Sequence, residues 1–417
     1  MLSWEHSPNL SLMRRERAWV EVNLAAIGHN VGQIRSLLSP RTDLMAVVKA
    51  DAYGHGAALI AQTVLQAGSA WLGVATIPEG IELREAGIEA PILLLGATHT
   101  PEQIRAIVHW HLQPSLCTLH QALVFSETMA TLPEQRLLSV HLKLDTGMSR
   151  LGTPWLQGLE FVRLVNRLPC LQIASVYSHL ATADSPDSTI MQQQQWRFEQ
   201  VINQIQAVGL TGVKCHLANS AATFTDHSLH YDLVRVGLGI YGLYPADHLR
   251  SVLELQPALQ VKARVTQVKT LAPGTGVSYG HQFIADREMR MAVIGIGYAD
   301  GVPRNLSNRM SVLLQGQRVP QIGAITMDQL MLDVSSVPTV QEGDVVTLLG
   351  QDGVSCISAD EWAAQLGTIS WEILCGFKHR LPRLAVNFLS NVSPDHSLRE
   401  VSKTVHSGAA PSSKGYL

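Results

Sequence analysis

The sequence predicts an α/β protein, a parallel (β/α)8 barrel of the TIM type followed by a mainly antiparallel β domain. Two observations carry this expectation. From about residue 43 to 237, short apolar runs alternate with amphipathic stretches, the rhythm of parallel strands joined by crossover helices. After about residue 256 the rhythm shortens to apolar/polar alternation broken by Gly and Pro, as in antiparallel strands. A chain of 417 residues has room for both units.

Taken in order, the apolar runs are 44–48, 72–75, 92–95, 112–116, 138–144, 171–177, 213–217 and 233–236. Helix-like stretches at 57–67, 79–86, 101–109, 154–166 and 189–208 lie between them, with Pro101 and Pro154 where a first-turn proline is tolerated. In the second half Val261, Ala263 and Val265 alternate with Lys262, Arg264 and Thr266, a half-buried strand. Further β runs are expected at 291–296, 311–314, 329–334 and 345–349, and a helix opened by Ser358 at 359–366. The expected division is a flexible extension over 1–16, a barrel over 17–256, a β domain over 257–389 and a disordered tail over 390–417. On this pattern a doubly wound open sheet is the rival of the barrel.

Composition narrows the function classes. A net charge of -3 supplies no long-range attraction for nucleic acid or anionic lipid. A content of 46% hydrophobic and 16% charged residues suits a folded chain. Cys117, Cys170, Cys215, Cys356 and Cys375 are odd in number and lack a C-x-x-C pair, which reads as scattered reduced thiols. The first residues hold no apolar run suited to a signal peptide, and no apolar run of about 18 residues occurs. No membrane span is therefore expected, and the expected address is cytoplasmic. His109, His111, His227 and His230 lack the company that specifies a metal site, so no catalytic metal is expected.

Polar residues gather where the strands of a barrel end, and barrel enzymes keep their active sites there. The first run leads into K-A-D-A-Y-G-H-G with Lys49, Tyr53 and His55, and the fifth into D-T-G-M-S-R-L-G with Arg150. The sixth leads to His179, the seventh to His216, Asn219 and Ser220, and the eighth to Arg235 and Gly237. Lys49 emerges from an apolar run, and desolvation lowers a lysine pKa and frees the amine for Schiff-base chemistry. Taken singly, it is more often a surface lysine with a buried stem. G-L-G-I-Y-G at 237–242 matches a dinucleotide fingerprint, but Pro245 prevents a helix from opening behind it. It reads better as a phosphate cradle, or as a plain tight strand exit. Arg235 stays protonated at any working pH, so it donates hydrogen bonds without giving up a proton; an ordinary salt bridge is the alternative. Tyr279, in V-S-Y-G-H at 277–281, is a candidate general acid/base or a hydrogen-bonded core tyrosine. A second polar insertion, A-I-T-M-D-Q, stands at 324–329.

Together these motifs resemble the alanine racemase family from about residue 19 to 383. The strings are A-V-V-K-A-D-A-Y-G-H-G (46–56), K-L-D-T-G-M-S-R-L-G (143–152), Y-S-H-L-A-T-A-D (177–184), A-N-S-A-A (218–222), V-R-V-G-L-G-I-Y-G (234–242), V-S-Y-G (277–280), I-G-Y-A-D-G (296–301) and M-D-Q (327–329), in family order. The resemblance implies a homodimer with active sites shared between subunits, pyridoxal 5'-phosphate as cofactor, and interconversion of L- and D-alanine that supplies D-alanine for peptidoglycan. It implies that Lys49 holds the cofactor as an internal aldimine and serves as one base, with Tyr279 of the partner subunit as the other. Two bases on opposite faces of a planar carbanion are what racemisation requires. Tyr53, Asn219, Ser220, Gly237 and Leu238 would anchor the phosphate. Arg235 would hydrogen-bond the pyridine nitrogen, with His179 and His216 orienting it, and would leave the ring a weaker electron sink that disfavours transamination. Arg150 would steer the substrate carboxylate and the cofactor's phenolic oxygen. Lys143 matches a position that can be carbamylated, and Tyr298, Met327 and Asp328 would line the entry from the second subunit.

Two positions depart from the family pattern and bear on substrate scope and pocket polarity. His379 stands where a phosphate-contacting tyrosine is frequent, and Ala324 where an arginine is common. A serine or broad-specificity racemase is the near alternative. A pyridoxal-phosphate decarboxylase is disfavoured because no C-G-E-S-like element is present. A non-catalytic carrier of the cofactor is disfavoured by the second domain bearing Tyr279.

Overall fold

The computed structural model describes residues 17–133, 137–377 and 379–388. The expectations for 1–16 and 390–417 lie outside the described residues.

Strand β1 (Ala18–Asn23) and helix α1 (Leu24–Ser36) come first. The barrel then runs β2 (Asp43–Val47), α2 (Ala57–Gln66), β3 (Trp71–Val74), α3 (Ile77–Glu85), β4 (Ile92–Leu94), α4 (Pro101–His109), β5 (Gln113–Leu116), α5 (Leu119–Ala130) and β6 (Leu138–Asp145). It continues with α6 (Gly158–Val165), β7 (Leu171–Tyr177), α7 (Thr189–Ala207), β8 (Lys214–His216), α8 (Ser220–Thr225) and β9 (Leu233–Val236). These strands pair in parallel in the order β9-β2-β3-β4-β5-β6-β7-β8. The two ends meet: the Asp232 amide donates to the Cys215 carbonyl at 3.0 Å, and the Arg235 amide to the Ala218 carbonyl at 3.0 Å. The sheet is a closed barrel, and the doubly wound rival is excluded.

Local chemistry explains the helix starts. Thr100 and Gln103 form a reciprocal capping box around Pro101, and Ile104, Ile107 and Val108 turn one face of α4 inward. Pro154 instead precedes a 3-10 turn, Trp155–Gln157, and the α-helix opens at Gly158. A Cβ on Gly158 would sit 2.7 Å from Val201 on α7, so close helix packing sets the glycine there.

The second unit contains β10 (Leu259–Leu271), β11 (Met289–Ile294), β12 (Ser311–Leu314), β13 (Gln317–Ile322), β14 (Leu330–Asp333), β15 (Val345–Asp352), β16 (Ser355–Ile357), α9 (Ala359–Leu366), α10 (Ser370–Gly376) and β17 (Arg383–Val386). Its sheet order is β16-β15-β12-β13-β14-β11-β10-β1-β17, with β15 also pairing β10. Val261, Ala263 and Val265 are buried as the alternation predicts, and the Ser358 side chain caps α9 by accepting from the Glu361 amide. Strand β1 lies here rather than in the barrel. It pairs antiparallel with β10, Ala18 opposite Ala263, and parallel with β17. A lone strand pattern carries no mark of which sheet will take it. One apolar core runs through both units, from Ile27 and Ile60 to Trp362 and Phe377. Among the described residues no helix is long and apolar enough to cross a membrane.

Candidate active site

A cavity of about 410 Å³ opens at the C-terminal ends of the barrel strands. It is lined by Lys49, Tyr53, Lys143, Arg150, His179, Asn219, Ser220, Arg235, Gly237 and Leu238, ten of the predicted site residues from five different strand ends. Its size falls in the range of small-ligand sites. Tyr177, Asp184 and Trp371 also line it, and none of these was singled out from sequence. The signal for Tyr177 was present, since it ends β7 just before Ser178 and His179. Trp371 could not have been found this way, because it reaches the cavity from α10 in the second unit.

Lys49 is presented by an unusual turn. Ala50, Asp51, Ala52 and Tyr53 all have φ between 52° and 55°, a full turn of left-handed backbone. Such geometry costs about 1–2 kcal/mol per residue for L-amino acids, so the surroundings must hold it. The Ala50 amide donates to the Glu79 carboxylate at 2.8 Å, and the Ala57 amide to the Asp51 carboxylate at 2.7 Å. From the second unit, the Arg383 guanidinium donates to the Gly54 carbonyl at 3.0 Å. Gly54 has φ 82°, and a Cβ there would stand 2.5 Å from the Leu374 carbonyl oxygen. The two units therefore clamp the turn between them. Burial pushes the Lys49 amine below the ordinary lysine value, and the positive charge of Arg150 adds to this.

Another wall holds a buried cation with no acidic partner among the described residues. The Arg235 guanidinium donates to His216 Nδ1 at 3.1 Å, His179 Nδ1 at 3.1 Å, the Ser178 carbonyl at 2.8 Å and the Leu217 carbonyl at 3.2 Å. Burial lowers it to about 10, still protonated near neutrality. His216 lies behind Arg235 rather than on the cavity surface, its ring stacked on Tyr177 at 4.6 Å. Lys143 is buried 5.1 Å from the centre of the Tyr177 ring, and burial together with Arg235, Arg150 and Lys49 lowers its amine to about 8.

The glycine turn after β9 makes the third side. The Gly237 amide donates to Ser220 Oγ at 3.1 Å, and Asn219 caps α8 by accepting from the Ala222 amide. A Cβ on Gly237 would meet the Tyr53 hydroxyl at 2.6 Å, so only glycine permits this approach. Tyr53 packs on Tyr241, whose hydroxyl donates to the Val47 carbonyl at 2.9 Å. Burial raises the Tyr53 phenol to about 12, which keeps it a proton donor. An oxygen-rich anion suits this corner.

Tyr279, Tyr298, Met327 and Asp328 stand apart from the cavity. They gather on one face of the β domain: the Tyr298 amide donates to the Thr326 carbonyl at 2.9 Å, and Ser278 Oγ to the Ala324 carbonyl at 2.7 Å. Asp328 accepts from Arg380 at 2.6 Å. Tyr279 is 72% exposed, Met327 52% and Tyr298 42%, a large apolar display for one surface. Ala324 is buried and meets this cluster through its carbonyl, whereas His379 is exposed.

The buried histidines set an acid limit on the fold. Burial lowers His55 to about 4 and His141 to about 3. Unfolded, both take up a proton near pH 6.5, so the unfolded state binds more protons below that pH. Their neutral-state stability is fully present above pH 6.5 and is lost as pH falls toward about 4 and about 3, respectively. Each contributes a slope of about 1.4 kcal/mol per pH unit in its window. Urea midpoints measured between pH 7 and 5 are expected to drop steadily; an unchanged midpoint contradicts this assignment.

Comparison with known proteins agrees with this geometry. The family described as "Alanine racemase, N-terminal domain" matches residues 22–245, and "Alanine racemase, C-terminal domain" matches 258–385. The chain is 67% identical over 371 residues to an alanine racemase of Nostoc sp., covering 89% of this chain and 96% of that protein. It is 62% identical over 374 residues to an alanine racemase of Synechocystis sp., covering 90% and 100%. Among solved structures, alanine racemase from Bacillus anthracis with bound L-Ala-P superposes with a TM-score of 0.82 at 34% identity, covering 89% of this chain and 95% of that one. The enzyme from a D-cycloserine-producing Streptomyces lavendulae gives 0.83 at 34% identity, covering 89% and 98%. Sequence, barrel, second domain and cavity agree, and the chain belongs to the alanine racemase family.

Proposed function

We propose that this chain interconverts L-alanine and D-alanine with pyridoxal 5'-phosphate, in a homodimer that shares its active sites. The observation that carries the reading is the meeting, in one cavity, of a lysine amine with lowered basicity and a buried arginine that has no carboxylate partner among the described residues. The donor set fits the cofactor. Tyr53, Asn219, Ser220, Gly237 and Leu238 would hold its phosphate, Arg235 would donate to its ring nitrogen, and Lys49 would form the covalent link. When bound, pyridoxal phosphate withdraws electrons from the amino acid's Cα and makes the α-proton removable. His179 and His216, both kept neutral by burial, accept from Arg235 and turn its charge toward the cavity. Lys49 moves the proton on one face, and Tyr279 of the partner subunit on the other. The exposed cluster around Tyr279 supports the second copy, because the chain's own cavity has no tyrosine from that cluster. Tyr298, Met327 and Asp328 would then line the entry. The five free thiols fit a reducing compartment, and the cytoplasm is the proposed location.

Arg150 would steer the substrate carboxylate, with Lys143 as its support. A buried amine lowered to about 8 among three cations gains from conversion to a carbamate, which reverses its charge beside Arg150. Intact-mass and peptide mass spectrometry of active enzyme are expected to find one CO2 on Lys143; unmodified Lys143 in fully active protein removes this role.

The deciding experiment is incubation of purified protein with L-alanine, L-serine and L-lysine, reading the D-isomers. D-alanine as the dominant product is expected, and D-serine in equal yield would move the reading to a broad-specificity racemase. No D-product despite bound cofactor would refute racemisation.

A further inference from the structure

Behind Arg235, a buried line of side chains crosses the barrel interior. His216 Nε2 is 2.8 Å from Ser175 Oγ, Ser175 Oγ is 2.6 Å from His141 Nδ1, and His141 Nε2 is 2.7 Å from Gln113 Oε1. Ser175, His141 and His216 are each no more than 1% exposed. Gln113 opens β5 and His141 lies in β6, so the line runs from the cavity floor toward the opposite end of the barrel.

The line has one allowed direction. Arginine carries only donors, so the imidazole nitrogen facing it must accept. His216 Nδ1 therefore holds a lone pair, and its single proton is on Nε2, donated to Ser175. Ser175 Oγ accepts from His216, and among the described residues its O–H has no hydrogen-bond acceptor other than His141 Nδ1, so it donates there and the His141 proton is on Nε2, donated to Gln113. The reverse order would set a His216 N–H against the Arg235 N–H, two donors face to face in a dry interior.

We propose that Ser175 and His141 are positioning residues: they hold His216 in the Nε2–H form, so that Arg235 stays locked with its remaining N–H groups directed into the cavity. Their role toward the ring rests on the proposed function, whereas the proton positions do not. Breaking the line at Ser175 leaves His216 free to adopt either tautomer, and one of them repels Arg235.

Neutron diffraction of the wild-type holoenzyme, which needs no variant, is expected to show deuterium on Nε2 of His216 and His141 and none on either Nδ1. Deuterium on His216 Nδ1 overturns the proposal. For the functional half, Ser175→Ala and His141→Leu are expected to lower kcat on the order of tenfold, the scale of a misdirected charge-assisted hydrogen bond. KM should change little, and the absorption maximum of the bound cofactor should shift. His141→Asn, whose amide oxygen can accept from Ser175, is expected to restore most of the rate and the spectrum. A fall in melting temperature with kcat and spectrum unchanged would make the line merely structural and overturn the positioning role. Racemisation by wild-type protein is scored separately, so failure of the proposed function is distinguishable from failure of this inference.

Discussion

Replacing Lys49 with alanine is expected to abolish the chromophore of the bound cofactor and to lower racemisation on the order of 10⁴-fold or more, since the covalent link and one proton-transfer group vanish together. The fold should survive. Among the described residues Lys49 has no ion pair or hydrogen bond, and burial and the positive charge of Arg150 outweigh the attraction of Glu79, so the variant loses little favourable interaction. The left-handed turn that presents it is held by Glu79, Asp51 and Arg383 rather than by the lysine itself. Absorption spectroscopy and a melting curve on the same sample check both halves. Retained chromophore with retained turnover would sink the assignment of Lys49.

Tyr279→Phe is expected to lower interconversion by roughly 10²–10⁴-fold, the usual share of a positioned general acid/base. The loss must be equal in kcat/KM for the two directions, because enantiomers have an equilibrium constant of unity in achiral water. The asymmetry appears in hydrogen exchange. In D₂O, the α-hydrogen of the enantiomer served by Lys49 should still exchange, while that of its mirror image should not. Proton NMR of the two alanines separates these outcomes, and equal loss of exchange in both would mean that Tyr279 is not one of two bases. Exposure of 72% for a tyrosine on the β domain is hard to account for within one chain, and the same variant tests what that exposure is for.

Much of this was legible in the chain. Each of the eight expected barrel strands is present, shifted by at most a residue or two at its ends, because burial on both faces writes a continuous apolar run that needs no partner to be recognised. Ten cavity residues were also legible, since strand ends in a barrel converge whatever the loops do. Helices α1, α5, α8 and α10 and strands β1, β13, β16 and β17 were not named from sequence; α8 and β17 are short, and their cues are side-chain contacts rather than periodicity.

What the sequence by itself determined is local: where strands begin and end, which residues follow them, and that a lysine, an arginine and a glycine turn share one barrel mouth. Tertiary structure alone decided that β1 joins the second sheet, that Arg383 and Leu374 of the second unit clamp the Lys49 turn, and that Trp371 closes the cavity. It also decided the proton order from Arg235 to Gln113. The reason is physical: periodicity reports how one segment meets its own surroundings, whereas a clamp or a tautomer depends on atoms brought together from distant parts of the chain. Lys49 was visible as a lysine at a strand end, but its lowered basicity comes from Arg150 and from burial that only the closed barrel provides.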